Sequence, residues 1–566
     1  MSVFPNIRRR AELTHVDQHS ASAPHDEDVE EHHQPLEAIP HPDQILDNAR
    51  KFGRIVRIAI DRARAARYLT AAEWCRVASA YAMTNPTGFL RSGDLESAIG
   101  IVADGALAPS RRPAKAAAGP RRVMHVITEA APIGGLTRLA ERWMQRDRIS
   151  ISAVVVTRQD EVLERLAEAA CASGGSATAL AVAGSNVLER AARLRQLAAD
   201  VDFVICHLHS DDIVTALAFG HGYSGAPVAI YNHADHLFWL APSNATTIVD
   251  ARNVGRRLTI HARGYSPELT YLLPLPVPAM RGGADEARLS IGWGFPADSI
   301  VAVSVARAIK FRDTTLEPSF SRLLGMALEA NPRLAFCAVG PEATDPPWPD
   351  LIERYGQRIY VTGPVPDPLP YLTAADIYLD PFPFSSTTSL LEAAAASLPT
   401  LTLDAHRDYC RAFGLADFVE SIDDRPTTVH AYLQRLQDLV NTPSLRRLTG
   451  ERARAGYLGL TAPEPWLESL GELYRHLDRA SARRNLLGGS APAEPDKRLL
   501  VHAAALTAIE QNIPLLWTVM AGVPCFDARD RRQLAPRIIV TRALQKLRLS
   551  PPSNATPRDS LLLPRR

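Results

Sequence analysis

The amino-acid sequence predicts an α/β protein with two doubly wound domains that face each other across a cleft. Short apolar runs alternate with amphipathic segments from "RVMHVIT" to "PVAIYNHA", and the same alternation starts again at "SIVAVSVA" and continues to "PTLTL". Between the two stretches, Pro and Gly cluster in "PLPVPAMRGGADEARL". Apolar strands separated by amphipathic helices are typical of parallel sheets covered on both faces. Two such sheets leave a cleft at the carboxyl ends of their strands, where open α/β sheets bind ligands.

These patterns also predict how the 566 residues are divided. The doubly wound domains are predicted at 123–280 and 290–475. Apolar residues at helical spacing in "ILDNARKFGRIVRIAIDRARAARYL" predict a helical unit at 44–107, and the stretch rich in Pro, Ala and Arg after it predicts a linker at 108–122. A flexible polar tail (1–43) and a helical appendage (497–548) complete the division.

Charge and composition exclude several classes of protein. Lys and Arg total 63 against 62 Asp and Glu, so the net charge of +1 gives no basic field to hold nucleic acid or an anionic membrane. The six cysteines are scattered without paired spacing, as in a reducing compartment. The N-terminus lacks the apolar stretch of a signal peptide, and no later run reaches the about 18 apolar residues of a spanning helix. We therefore expect a cytoplasmic protein without a transmembrane segment.

The stretch "PFPFSSTTSLLEAAAASLPTLTL" is the most informative part of the chain. A predicted strand ends just before it, and four hydroxyl side chains stand where the next helix must begin. One hydroxyl is enough to cap a helix, whereas four of them, together with the unpaired amides of the first turn, can cradle a phosphate. A carboxylate one turn later can accept hydrogen bonds from a ribose. An ordinary capped helix remains the alternative. The predicted nucleotide-binding residues are Ser385, Ser386, Thr387, Thr388 and Glu392.

Residues 371–403, "YLTAADIYLDPFPFSSTTSLLEAAAASLPTLTL", resemble the donor-binding segment of GT-B glycosyltransferases. The likeness is greatest to the O-GlcNAc-transferase-like and bacterial protein-glucosylating branch, and more distant to the glycogen-synthase-like retaining branch. The retaining branch usually carries a further Glu eight residues before the ribose-binding one, where this chain has Phe384, so retention and inversion both stay open. The resemblance covers roughly residues 121–475. It implies two Rossmann-like domains and a nucleotide sugar, UDP- or GDP-linked, as co-substrate, with no other cofactor required.

The same resemblance assigns a role to the basic residues of "RAIKF", which follows the first strand of the second domain. In both branches a cation at this place contacts the donor diphosphate, so Lys310 and Arg307 are carried over as donor-binding residues. A fixed cation stabilises the negative charge that develops on the departing diphosphate. The resemblance therefore implies that no metal is needed. A solvated basic loop is the alternative interpretation.

Two stretches of the first domain complete the predicted site. Gly134 and Gly135 lie between its first strand and helix, where absent side chains let a sugar or acceptor approach the backbone. His233 follows the strand "PVAIYN" and matches the interdomain His of several GT-B families. Its imidazole can act as general base toward an acceptor hydroxyl or as hydrogen-bond donor to the sugar, with Asp235 to orient it and His236 beside the sugar. A plain tight turn and a buried structural histidine are the alternatives. We predict His233, Asp235 and Lys310 as the catalytic residues.

The sequence does not support a metal site, and it lacks the motifs of several other enzyme classes. The histidines and carboxylates of "CHLHSDD" superficially resemble a ligand set, but the carboxylates stand where they cap the following helix. The tail carries six of the 17 histidines, and its polar composition is typical of a solvated segment. The sequence contains no G-x-S-x-G elbow, no Walker phosphate loop and no G-x-G-x-x-G. We assign no metal ligand.

The sequence as a whole therefore predicts a glycosyltransferase that moves a sugar, of hexosyl type, from a nucleoside-diphosphate donor to an acceptor. The acceptor, which is a protein, a glycan or a small molecule, is not encoded in any motif. Two alternatives share the fold. One is a nucleotide-sugar epimerase, which needs no acceptor. The other is a non-catalytic scaffold whose terminal helical units bind partner proteins.

Overall fold

The computed structural model describes residues 42–110, 119–131, 135–278, 291–313, 318–382, 385–404, 426–481 and 491–495, all of which belong to one compact unit. The predicted polar tail, up to residue 41, and the predicted appendage at 497–548 lie outside the described residues. No helix within the described ranges combines the length and apolar character needed to cross a bilayer.

Three helices form the N-terminal helical unit: α1 (Pro42–Arg64), α2 (Tyr68–Thr84) and α3 (Gly93–Ala106). Most of α2 is buried, because its small and apolar residues pack on α1 and α3 and also on the first sheet domain. Ser79 ties the two parts together through a 2.7 Å hydrogen bond from its hydroxyl to the carbonyl of Ser210. The helical unit therefore shares one hydrophobic core with the first sheet domain.

The first sheet domain is doubly wound. Its seven strands are all parallel and lie in the order β3-β2-β1-β4-β5-β6-β7. Their buried Val, Ile and Ala side chains explain why they form an internal sheet covered on both faces. The strands are β1 (Arg121–Ile127), β2 (Ser150–Val156), β3 (Ala177–Ala179), β4 (Phe203–His207), β5 (Val228–Asn232), β6 (Thr247–Asp250) and β7 (Thr270–Leu272).

Amphipathic helices connect these strands and cover the sheet. Polar side chains mark where several of them begin: Asn186 forms a reciprocal capping box with Glu189, and the side chain of Asp212 accepts a bond from the amide of Thr215. The helices are α4 (Gly135–Arg146), α5 (Glu164–Ala172), α6 (Val187–Leu197), α7 (Ile213–Ala218) and α8 (Asn253–His261).

The second sheet domain repeats the arrangement with five parallel strands in the order β10-β9-β8-β11-β12. These two sheets confirm the two doubly wound domains that the sequence predicts. The strands are β8 (Ile300–Val305), β9 (Leu334–Val339), β10 (Ile359–Val361), β11 (Ile377–Leu379) and β12 (Thr400–Leu401). The helices are α9 (Phe320–Ala330), α10 (Trp348–Tyr355), α11 (Leu369–Ala374), α12 (Thr387–Ala395), α13 (Val429–Asn441), α14 (Pro443–Thr461) and α15 (Pro463–Ser481).

The last of these helices, α15, returns to the first sheet domain and joins the two domains. Trp466 is fully buried, and its ring meets Trp143 edge-on with centroids 5.6 Å apart. Its indole N–H donates to the carbonyl of Pro274 at 2.9 Å. Farther along the helix, Tyr474 stacks on Phe203 with ring centroids 5.3 Å apart. The apolar face of α15 therefore belongs to the core of the first sheet.

We expect the substitution Trp466→Ala to lower the free energy of unfolding by about 3–5 kcal/mol, because it leaves a cavity between α15 and the first sheet. The neighbouring Leu467 is 39% exposed, and Leu467→Ala should change stability by only about 0.5 kcal/mol or less. Urea denaturation of both variants measures the difference. Equal losses in the two variants would contradict the packing of α15 described above.

Candidate active site

The start of α12 lies directly beyond strand β11 of the second sheet. Ser386 is the residue before the helix, and its hydroxyl makes no capping bond. Its amide instead donates to Oδ1 of the buried Asp380 at 2.9 Å. Among the described residues, no group accepts a hydrogen bond from the amides of Thr387, Thr388 or Ser389. The predicted hydroxyl cluster therefore surrounds a helix N-terminus whose first-turn donors are available to an anion.

Lys310 faces this helix start. It lies in the 3-10 turn Ala308–Phe311 after β8, and β8 pairs with β11 in the sheet. Its ammonium Nζ is 2.6 Å from the backbone carbonyl oxygen of Ser385. Burial lowers the pKa of Lys310 to about 8; the carboxylate of Asp380 opposes this shift and the guanidinium of Arg307 adds to it. Arg307 begins the same turn and is exposed. The structure thus brings together Lys310 and the helix start, 75 residues apart in sequence.

Glu392 points from the second turn of α12 toward the first domain. Its side chain is only 3% exposed, and Oε1 accepts a 2.8 Å bond from Nη2 of Arg142 on α4. At the start of α4, a methyl group on Gly135 would come within 3.9 Å of the hydroxyl of Thr388. The structure therefore brings Gly135 close to the hydroxyl cluster. Gly134 lies outside the described residues.

Three arginines of α4, spaced four residues apart, hold the second domain. Arg138 donates to the carbonyl of Pro366 at 2.7 Å, and Arg142 binds Glu392. Arg146 donates to the carbonyl of Thr461 at 2.8 Å. The sequence analysis did not identify these residues. Their spacing of four places them on one face of an amphipathic helix, and this pattern could have identified them.

Replacing Arg142 by Met should lower the free energy of unfolding by about 3 kcal/mol, because it leaves the buried carboxylate of Glu392 without its counter-ion. Adding Glu392→Gln to that variant should recover part of the loss, since the buried charge is then removed. The exposed Arg148 provides the matched control, and Arg148→Met should have little effect. A double variant no more stable than Arg142→Met would contradict the pairing.

The loop after β5 carries the remaining predicted residues of the first domain. Asp235 forms a two-point ion pair with Arg252, with N···O distances of 2.7 and 3.0 Å, and its Oδ1 lies 3.3 Å from Nδ1 of His236. Burial opposes ionisation of Asp235, yet Arg252 keeps its pKa well below the usual value. Arg263 donates hydrogen bonds to the backbone carbonyls of Asp235 and Leu237 and so holds the backbone of this loop in place. Sequence reasoning missed both arginines, because nothing in the local sequence links them to this loop.

His233 has a different partner from the one that the sequence indicated. Its Nε2 lies 3.1 Å from Nδ1 of His207, whereas Asp235 pairs with Arg252 and His236. Burial lowers the pKa of His233 to about 3, and the nearby His209 adds to the effect. The ring is therefore neutral near pH 7. The charges of Asp235 and Arg252 also act on the pKa of Lys310, which Asp235 raises and Arg252 lowers.

No protein-family model matches the sequence, and no curated protein matches it significantly. Several solved structures that are similar to the chain are glycosyltransferases. A glycosyltransferase from Rickettsia africae is 13% identical over 64% of this chain and 100% of its own, with a TM-score of 0.49. HepE from Anabaena, in complex with UDP and glucose, is 14% identical over 63% of this chain and 99% of its own, with a TM-score of 0.47. Thermobaculum terrenum O-GlcNAc transferase is 15% identical over 78% of this chain and 86% of its own, with a TM-score of 0.47.

The topology itself decides the architecture. In both sheets the first strand of the domain lies between its second and fourth strands, which is the Rossmann order, and α15 crosses back from the second domain to the first. The chain has a GT-B fold.

A cluster of charged side chains lies at the carboxyl end of the first sheet of this GT-B fold. The sequence predicts that both Asp211 and Asp212 cap α7. Asp212 does so, whereas Asp211 instead pairs with Arg158 at 2.9 Å and with Arg76 of α2 at 3.5 Å. Arg158 also lies 3.6 Å from Glu129. Within the described ranges, no group of three or more His, Cys, Asp or Glu side chains is arranged to hold a metal ion. The carboxylates of "CHLHSDD" instead pair with arginines and cap a helix.

Proposed function

We propose that the protein is a glycosyltransferase that moves a sugar from a nucleoside-diphosphate donor to an acceptor hydroxyl. One observation carries the proposal. The ammonium of Lys310 and the first-turn amides of α12, which have no acceptor among the described residues, converge at the carboxyl ends of neighbouring strands β8 and β11. Helix amides, the helix dipole and a fixed cation together form an anion site of the kind that holds a diphosphate. Open α/β sheets bind their ligands at this place.

The donor would lie along α12. The diphosphate contacts Lys310, with Arg307 at its exposed side, and the amides and hydroxyls between Ser385 and Thr388. Glu392, one turn farther, accepts hydrogen bonds from the ribose hydroxyls. The bond between sugar and diphosphate then breaks beside Lys310, whose positive charge stabilises the leaving phosphate. Arg142 occupies one oxygen of Glu392, so a bound ribose must share or replace that partner.

The first domain would present the acceptor. His233 and the pair formed by Asp235 and His236 lie on the loop after β5, and the charge of Asp235 raises the pKa of Lys310, so we place this loop beside the sugar. Gly135 leaves room between α4 and Thr388. The described residues do not indicate whether this acceptor is a protein, a glycan or a small molecule.

A nucleotide screen followed by a turnover assay tests the proposal. A nucleoside diphosphate at a hundredfold excess over its Kd should stabilise the protein by about 2.7 kcal/mol in a thermal-shift assay. Incubation of the protein with the matching nucleotide sugar alone should give slow release of the free sugar. Conversion of the sugar to its epimer would establish an epimerase instead. No thermal shift with UDP, GDP, ADP or their sugars would favour a non-catalytic scaffold.

We further propose a cytoplasmic location. Cys75, Cys206 and Cys337 are buried and Cys171 is exposed, and all four are free thiols. Burial raises the pKa of Cys75, Cys206 and Cys337, so these thiols are unreactive core residues. Reaction of the native protein with a thiol reagent should therefore label Cys171 before any of the other three.

A further inference from the structure

Three histidines form a hydrogen-bonded chain from the core of the first domain to the candidate active site. His125 lies on β1, His207 ends β4 and His233 follows β5, and these three strands are neighbours in the sheet. Nδ1 of His125 is 3.1 Å from Nε2 of His207, and Nδ1 of His207 is 3.1 Å from Nε2 of His233. The candidate site histidine, His233, is therefore linked to two histidines that are fully buried.

The chain lies in an apolar environment. His125 and His207 are fully buried, and Trp143 meets both rings edge-on while Tyr231 packs beside His207. Within the described part of the protein, no carboxylate pairs with any of the three rings. Burial lowers the pKa of His125 to about 3 and that of His207 well below its usual value. All three rings, including His233, are neutral near pH 7.

Neutrality leaves only two arrangements of protons. Each neutral ring carries one N–H, and each of the two N···N bonds uses one of them, so His207 donates in one bond and accepts in the other. In the outward arrangement His125 donates to His207 and His207 donates to His233, which leaves an N–H on Nδ1 of His233. In the inward arrangement the directions reverse, and the remaining N–H lies on Nε2 of His125.

The inner end of the chain distinguishes the two arrangements. Nε2 of His125 is buried and has no hydrogen-bond partner among the described residues. The inward arrangement would place an unpaired N–H donor there, and buried unpaired donors are rarer in proteins than buried unpaired acceptors. We propose that His125 and His207 are positioning residues that fix His233 in the tautomer with its proton on Nδ1, so that His233 presents a hydrogen-bond donor to the active site.

Of the two roles that the sequence leaves open for His233, general base or hydrogen-bond donor, the Nδ1–H tautomer supports the hydrogen-bond donor. An Nδ1–H group donates to a sugar or phosphate oxygen and cannot accept the proton of an acceptor hydroxyl at that atom. Nε2 of His125, at the inner end of the three histidines, has no hydrogen-bond partner in the part of the protein that the structure describes, so these residues offer no route for a proton from His233 to solvent. The identity of the oxygen that His233 contacts rests on the proposed function, whereas the tautomer does not.

The tautomer can be measured directly by long-range 1H–15N correlation NMR of the full chain labelled with 15N-histidine, because the two ring nitrogens have different shifts when protonated and unprotonated. We expect His233 to show a proton on Nδ1. In the variant His207→Phe, Nε2 of His233 loses its donor, so the Nδ1–H form is no longer enforced and the Nε2–H form should become populated. In His207→Gln the amide N–H can still donate to His233 while the carbonyl accepts from His125, so the Nδ1–H form should remain.

Turnover of the nucleotide sugar provides the second readout. We expect His207→Phe to lower kcat about tenfold with little change in KM for the donor, and His207→Gln to recover most of that loss. A proton on Nε2 of His233 in the native protein, or an unchanged tautomer in His207→Phe, would overturn the proposal. Unchanged kcat in His207→Phe despite a changed tautomer would overturn the catalytic role. The native spectrum decides the tautomer even if His207→Phe does not fold or no sugar is transferred.

Discussion

Replacing Lys310 by Met is expected to lower sugar transfer about a hundredfold to a thousandfold, which is the cost of removing one preorganised charge from a leaving group in a buried site. The side chain lies 2.6 Å from the carbonyl of Ser385, so Met fills the same space without the ammonium. The effect should appear in kcat, because the negative charge on the departing diphosphate develops as the sugar bond breaks. Single-turnover kinetics with the nucleotide sugar measures it.

Control variants separate loss of the charge from general damage. The same substitution at Lys51, which is 46% exposed on α1, should leave turnover unchanged. Lys310→Arg keeps a permanent charge and should retain part of the activity. Equal turnover in Lys310→Met and the native protein would contradict the role of Lys310.

The pKa of Lys310 adds a pH signature to this prediction. Binding of a nucleoside diphosphate requires the protonated ammonium, and burial lowers the pKa of Lys310 to about 8. Below pH 8 the charge is present and affinity should be constant; above pH 8 the free protein must take up a proton to bind, so affinity should fall. The slope can reach about tenfold per pH unit, which is the limit for one linked proton. Lys310→Arg should abolish this decline between pH 7 and 9.5.

Replacing Glu392 by Ala is expected to weaken binding of the nucleoside diphosphate about tenfold to a hundredfold, because hydrogen bonds to a charged carboxylate contribute about 1.5–3 kcal/mol. The fold should persist, since α12 is otherwise held by its buried Leu and Ala side chains. Isothermal calorimetry gives the two dissociation constants. Unchanged affinity would refute the assignment of Glu392 to the ribose.

The change at Glu392 also removes the partner of Arg142, so a matched ligand is needed to isolate the ribose contact. The native protein should prefer the ribonucleotide over its 2′,3′-dideoxy analogue about tenfold or more, whereas Glu392→Ala should bind the two alike. The substitution Arg142→Met should keep the preference for the ribonucleotide. Loss of that preference in Arg142→Met, with retention in Glu392→Ala, would assign the ribose to Arg142 instead.

Features that depend on local sequence order were predictable. The alternation of apolar runs and amphipathic helices gave the two doubly wound domains, because strand and helix periods differ. The convergence of Lys310 and Ser385 follows from the same topology: β8 and β11 are neighbours in a Rossmann sheet, and residues just beyond their carboxyl ends must lie close together.

Features that depend on side-chain partners across strands or domains were not predictable. Nothing near Glu392 in the sequence indicates that Arg142, 250 residues earlier, holds its carboxylate. Likewise, Asp235 stands two residues from His233, yet the loop turns its carboxylate toward Arg252 and leaves His233 to bond with His207. Such pairings are decided by loop geometry and by the register of neighbouring strands, which a single sequence does not reveal.

The most direct test is a crystal structure of the protein with UDP or GDP, whichever nucleotide the thermal-shift screen selects. We predict diphosphate oxygens within hydrogen-bond distance of Nζ of Lys310 and of the amides of Thr387, Thr388 and Ser389. A nucleotide bound at any other place, with these groups still free of it, would contradict the proposed donor site and the function that depends on it.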